Sequence, residues 1–197
     1  MYAAGAFAQS YSEVAVNDGV LQRVDKPGVY SLELNGDEAQ TASFLLHYTA
    51  GILHTMPQLL NHHLNTGLSG SNYGTKLALT RGNHSKYPKH VDNVGLPDLR
   101  KITCIYYLNP GWDKRNGAEL RLWGNRGVVE DVSPVGDRLV LFWSDQVVHE
   151  VLANVADISS SSDRFALTLW LVSESSEGIC DPQHPLAVTK REHFPTA

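Results

Sequence analysis

Three residues carry the densest chemical signal in the chain: His90 and Asp92, separated by a single valine, and His149, which follows an apolar run. If their side chains converge, two imidazoles and one carboxylate fill one face of an octahedral metal ion and leave three positions open. That donor set suits non-haem Fe(II), whose open positions must take a co-substrate and dioxygen. Residues two apart on a strand point to the same face, so His90 and Asp92 can reach one ion while Val91 packs behind them. Taken alone the His-x-Asp pair is weak, because nine histidines make such a spacing easy to obtain by chance. His54, His62, His63 and His84 read as ordinary surface or helix-face histidines.

A second feature gives the spacing meaning. In the run from Arg164 to Val172, Phe165, Leu167, Leu169 and Leu171 share one face, and Arg164, Ala166, Thr168 and Trp170 share the other. An arginine on that second face is no core filler. A buried guanidinium requires an anionic partner, and small Ala166 and Thr168 beside it leave room for a ligand. A dicarboxylate satisfies both ends, with its distal carboxylate on Arg164 in a bidentate fork and its other end on the metal. The bland alternative is a strand end at the surface, with Arg164 paired to Asp163 or to water. Tyr107 favours the first reading, since its hydroxyl lies on the inward face of a central strand and needs a buried partner.

The elements that must position these groups change character along the chain. Asp37 to Leu64 carries apolar residues at three- and four-residue steps, predicting helix, with Pro57 dividing it and Thr55 capping the second part. Val29 to Leu34 reads as a strand entered through Lys26-Pro27-Gly28. From Lys76 onward the period becomes two, with strand-like runs at 77–80, 102–109, 119–123, 138–143 and 164–172, a spacing that predicts a sandwich or barrel. In Ile102–Leu108 both faces are apolar, which predicts a central strand covered on both sides. His149 is expected where the run 139–145 crosses the core and opens into a loop. Gly111 to Gly117 reads as a polar turn and Ala153 to Asp163 as a low-complexity loop.

Bulk properties narrow the function. The 197 residues fit a single domain over 1–197, which buries about 70% of its unfolded surface without staples. Its parts are expected as helical support over about 1–75, a β core over about 76–173 and a tail over about 174–197. Two cysteines, Cys104 and Cys180, make no disulfide framework and are expected as thiols. A formal charge of -5 and a pI near 5.9, with scattered Lys and Arg, leave no basic footprint for nucleic acid. No run reaches the roughly 20 apolar residues of a bilayer crossing, and the N-terminus has no basic region before its short apolar stretch. The expectation is a soluble, monomeric intracellular protein, cytoplasmic or also nuclear.

The motifs now suffice for a resemblance. The segments His90-Val91-Asp92-Asn93, Thr103 through Asn109 with Trp112-Asp113, Asp137 through Asp145, and His149-Glu150-Val151 resemble the hypoxia-inducible-factor prolyl hydroxylases, which are 2-oxoglutarate- and Fe(II)-dependent prolyl 4-hydroxylases. The match runs from about Lys76 to Trp170. It implies a mostly β fold, a double-stranded β-helix (jelly roll, cupin-like) with N-terminal helices packed on one sheet. It implies that His90, Asp92 and His149 hold Fe(II), that Arg164 and Tyr107 bind the distal carboxylate of 2-oxoglutarate, and that Thr168 lines the same pocket. Tyr87 matches a tyrosine beside the family's metal site; Trp170 and Arg100 match positions towards the peptide groove. By the same resemblance, dioxygen is the second co-substrate, ascorbate the reductant, and a protein or peptide containing proline the partner, in an oxygen-sensing role.

There are departures. Thr80 stands where the family has a tyrosine ten residues before the first iron ligand, and the interval from His149 to Arg164 is several residues longer than in the animal enzymes. No long N-terminal extension or zinc-finger spacing is expected, so compact protist and bacterial relatives are equally good guides to the substrate. Asn17 to Lys26 reads as a cover over the substrate. Two rivals stand beside the prolyl hydroxylase: an oxygenase of a free amino acid or small metabolite, and an inactive metal-binding jelly-roll module carrying Zn(II).

Overall fold

The computed structural model describes residues 5–16, 20–158 and 163–195 and, in residues 12–16 and 20–22, the backbone alone. The elements run β1 (Ala8–Val16), β2 (Val20–Leu32), α1 (Ser43–Leu64), β3 (Leu68–Thr80), β4 (Ser85–His90), β5 (Arg100–Tyr107), β6 (Leu120–Trp123), β7 (Val129–Val132), β8 (Leu139–Trp143), β9 (Val148–Asn154), β10 (Arg164–Ser173) and α2 (Ala187–His193). Among the described residues ten strands form two antiparallel sheets, a larger one ordered β1-β2-β3-β10-β5-β8 and a smaller one ordered β4-β9-β6-β7. The fold is mostly β, with the two sheets enclosing the interior of a double-stranded β-helix.

Alternation along β5 and β10 divides the core in two. Ile102 and Cys104 join Leu77, Leu167, Leu169 and Leu171 on the outer face of the larger sheet, where Leu53 of α1 covers them. Leu167 and Leu169 have no exposed surface, and side chains so enclosed contribute about 1.5–3 kcal/mol each. Ile105, Tyr107 and Ala166 point the other way, into the space between the sheets, and meet Leu120 of β6 and Phe142 of β8. The central, doubly covered β5 expected from its two apolar faces is therefore observed, flanked by β10 and β8. Both cysteines are free thiols.

The N-terminal part corrects the sequence reading. Instead of helical support over about 1–75 with one strand at 29–34, β1 and β2 form an antiparallel hairpin that adds to the larger sheet, and β3 already begins at Leu68. Among the described residues one N-terminal α-helix packs on that sheet, where several were expected. Pro57 does not divide α1: the 22-residue helix runs through it, with Pro57 itself buried beside Leu53. The proline removes one backbone donor, but Ile52, Leu53, Met56 and Leu60 on both sides of it pack against the sheet and keep the two halves in one line. The end of α1 is tied by Asn61, whose amide donates to the Leu68 carbonyl at 2.8 Å and whose oxygen accepts from Leu68 N–H at 2.7 Å and Thr66 at 2.8 Å.

Two further corrections concern loops. His149 does not lie in a loop but is the second residue of β9. The expected loop 153–163 begins later, because Ala153 and Asn154 still belong to β9; residues 159–162 lie outside the described residues. The segment read as a cover, Asn17 to Lys26, includes residues 17–19 outside the described ones, and its remainder belongs to β2.

Candidate metal centre

Strands β4 and β9 are antiparallel neighbours in a register that sets His90 directly opposite His149. Their rings lie 4.2 Å apart between centroids. Asp92 follows two residues after His90, where the chain leaves β4 and its N–H donates to the Ser144 carbonyl at 3.0 Å. That turn brings Asp92 Oδ1 to 3.3 Å from His90 Nε2 and 3.7 Å from His149 Nε2. One donor atom from each of the three lies within 4.8 Å of the others. The three residues that spacing singled out are thus brought together.

The surroundings aim these donors. His90 Nδ1 lies 2.8 Å from the Pro88 carbonyl and His149 Nδ1 3.0 Å from the Val147 carbonyl. A carbonyl only accepts, so each Nδ1 carries the proton and each Nε2 lone pair faces the shared centre. Asp92 Oδ2 accepts from Thr103 Oγ1 at 2.7 Å and from Trp170 Nε1 at 3.1 Å, leaving Oδ1 turned to the imidazoles. Burial alone would raise the Asp92 carboxyl, but His149, His90 and Thr103 hold it well below the usual carboxylate range. Burial pushes His149 down to about 4 against the pull of Asp92, so its imidazole is neutral near pH 7 and free to donate a lone pair. Two imidazoles and one carboxylate, with the opposite side open to a cavity, form a donor set that fits a divalent ion with vacant positions.

The cavity reaches from this centre to Arg164. On β10 the side chains of Arg164, Ala166, Thr168 and Trp170 all border it, as the alternation predicted, and Ala78, Thr80 and Lys76 of β3 face them. Arg164 is only 4% exposed. Its Nη2 donates to the Tyr107 hydroxyl at a long 3.5 Å, and its Nε has no hydrogen-bond partner. Burial lowers the affinity of that guanidinium for its proton, and burial likewise raises the Tyr107 phenol despite the cation beside it. A buried cation with an orphaned donor is stable only with an anion against it. A small diacid fits that requirement at one end and the metal centre at the other.

The remaining candidates separate. The Tyr87 ring lies 4.6 Å from that of His90, tilted by 37°, at the metal centre. Trp170 touches Asp92, and Arg100 stands over its ring at 5.1 Å while donating to Asp98 at 2.8 and 2.5 Å. Thr80, where the resembling family has a tyrosine, pairs across the sheet with Arg164 and borders the cavity with a shorter side chain. Sequence reasoning missed Thr103, Lys26 and Lys76. For Thr103 the signal was present, as a hydroxyl on the inward face of a strand otherwise apolar. Thr103→Val keeps the shape and deletes the bond to Asp92; we expect divalent-metal affinity to fall roughly 10–100-fold, read by competition against a chelator, whereas unchanged affinity would leave the orientation of Asp92 to Trp170 alone.

Comparison with known proteins agrees with this geometry. The model of the 2OG-Fe(II) oxygenase superfamily matches residues 75–172. The hypoxia-inducible factor prolyl hydroxylase of Caenorhabditis elegans is 32% identical over 167 residues, 81% of this chain and 21% of that protein. The chain thus spans about a fifth of that relative's length. Among solved structures, the prolyl hydroxylase of Trichoplax adhaerens, in complex with a hypoxia-inducible-factor oxygen degradation domain peptide fragment, superposes with a TM-score of 0.67 at 28% identity, covering 88% of this chain and 73% of that one. A prolyl-4-hydroxylase of Pseudomonas putida gives 0.61 at 27% identity, covering 74% and 72%.

Proposed function

The chain belongs to the 2OG-Fe(II) oxygenase superfamily, and from that premise we propose that it is a prolyl 4-hydroxylase acting on a protein or peptide substrate. His90, Asp92 and His149 would hold Fe(II); Arg164 and Tyr107 would take the distal carboxylate of 2-oxoglutarate, with Thr168 lining the pocket. The observation that carries this reading is the buried Arg164 with its unpartnered Nε, at the far end of the cavity that the metal donors border. A metal-binding module without a co-substrate has no use for such a group.

When bound, Fe(II) and 2-oxoglutarate supply the oxidising chemistry, in which dioxygen is consumed, succinate and carbon dioxide leave, and C4 of proline gains a hydroxyl. The chain's own residues position and enclose. Arg164 orients the diacid by charge and by its fork of donors. Thr103 and Trp170 fix the rotation of Asp92. Tyr87 and Trp170 flank the metal end, where a prolyl ring would enter, and Arg100 steadies Trp170 from the outer side. Ascorbate would serve as reductant.

The relatives' names support a protein substrate and an oxygen-sensing role. Among the described residues no helix is long and apolar enough to cross a membrane; we place the enzyme in the cytoplasm or nucleus, as a monomer. The test is aerobic incubation with Fe(II), 2-oxoglutarate and a panel of prolyl peptides, followed by mass spectrometry. Succinate and a single added oxygen on proline are expected. Hydroxylated free proline with untouched peptides would move the assignment to a free-substrate oxygenase, and no succinate under any condition would end it.

A further inference from the structure

Two lysines stand where a chain seldom leaves them. Lys26 is only 7% exposed, with Nζ 3.6 Å from the centroid of the Tyr87 ring. Lys76 borders the cavity, with Nζ 4.9 Å from the centroid of the Trp170 ring. Register explains the second: β3 alternates Leu77 and Leu79 outward with Lys76, Ala78 and Thr80 inward, and Lys76 pairs across the sheet with Thr168. Trp170 touches Asp92 and the Tyr87 ring lies against that of His90, so both ammonium groups stand over rings beside the metal donors.

Neither ammonium has a carboxylate within ion-pairing distance among the described residues, whereas Arg100, on the same Trp170 ring, is already paired with Asp98. An aromatic face attracts a cation but does not neutralise it, and a cation taken from water without a counter-charge is costly. Asp92 and Glu33 lend Lys76 some support through space. Asp92 is committed to the metal, and Arg164 to the distal carboxylate, once both are bound. The loaded site then keeps two cations over two aromatic rings, with Glu33 acting on Lys76 only through space and no carboxylate among the described residues paired with either.

We propose that Lys26 and Lys76 form a carboxylate-recognition subsite at the metal end of the cavity, so that the preferred substrate is a prolyl peptide with Asp or Glu next to the target proline. The assignment rests on the hydroxylase reading and names the substrate class for it. Burial pulls the Lys26 ammonium down to about 8, helped by Lys76, and an incoming carboxylate would stabilise its charge. The aromatic rings hold both ammonium groups in place, so little side-chain freedom is lost on binding.

The test measures the anisotropy of labelled peptides on the enzyme loaded anaerobically with Fe(II) and 2-oxoglutarate. Peptides carrying Asp-Pro are expected to bind roughly tenfold or more tightly than the Asn-Pro isostere, and salt should erode the difference. Lys26→Met and Lys76→Met together should level the two affinities while the visible chelate band persists. Lys76→Glu should turn the preference towards a peptide bearing Lys beside proline. Equal binding of Asp and Asn peptides by the unaltered enzyme, or a preference that survives both methionine variants, overturns the subsite. Free proline competing as well as the acidic peptide, with prolinamide inert, would assign the lysines to an amino acid's own carboxylate and overturn the peptide proposal. A missing chelate band would instead sink the hydroxylase reading itself, so the two failures are told apart in one sample.

Discussion

Asp92→Ala protein, mixed anaerobically with Fe(II) and 2-oxoglutarate, is expected to show none of the visible charge-transfer absorption of the chelate and to produce succinate only at background. Asp92 is the single carboxylate of the donor set, and both imidazoles approach its Oδ1. Its loss removes the one anionic ligand and leaves two imidazoles that hold iron weakly. Alanine also strips the acceptor from Trp170 Nε1, at about 1–3 kcal/mol for a donor left without a partner, while Thr103 Oγ1 keeps Ser144 Oγ at 2.8 Å. Asp92→Asn is the companion variant: it keeps an oxygen for those two donors and removes only the charge. Absorption lost in both, with the asparagine protein melting near the parent, would locate the effect in the metal. An alanine protein that still gave the band would remove Asp92 from the ligand set.

Arg164→Gln should behave in the opposite way, retaining iron but requiring about 10–100-fold more 2-oxoglutarate for half-maximal succinate formation, the equivalent of about 1.5–3 kcal/mol for a charge-assisted bond. The guanidinium lies at the far end of β10's inward row from Trp170 and touches no metal donor. Arg164→Lys should recover part of the affinity, since it returns the charge without the two-pronged geometry. Glutamine relieves the burial of an unpaired cation, so the unliganded variant should melt no lower than the parent. If the glutamine protein failed to bind iron, the division of labour between the two ends of the cavity would be wrong.

Much of this site was legible because its residues break the pattern around them. Arg164 opens an otherwise apolar strand, and His90 and Asp92 stand two residues apart, although Asp92 reaches the centre through the turn after β4 and not by strand alternation. Lys76 obeys the same alternation with Ala78 and Thr80, yet escaped notice because lysine is ordinarily a surface residue and its presence inside needs a register that only pairing supplies. Lys26 reads in the sequence as the entry to a strand and the end of a cover segment, and its burial depends on Tyr87, far along the chain. The hairpin of β1 and β2 was missed because its residues give no clean apolar face. The continuity of α1 through Pro57 was illegible for a different reason: a local propensity to break is overruled by packing against a sheet that the segment itself does not encode.

The bonds of Asp92 have one more consequence. Its backbone leaves β4 of the smaller sheet, while its carboxylate is gripped by Thr103 on β5 and Trp170 on β10 of the larger one. An ion seated on this side chain and on two histidines of the smaller sheet becomes a rivet through both layers of the barrel. Because the unfolded chain offers no such seat, each tenfold rise in free metal above its dissociation constant adds about 1.4 kcal/mol to resistance against heat. Thermal denaturation of the protein would therefore serve as a gauge of how much of it is charged with metal.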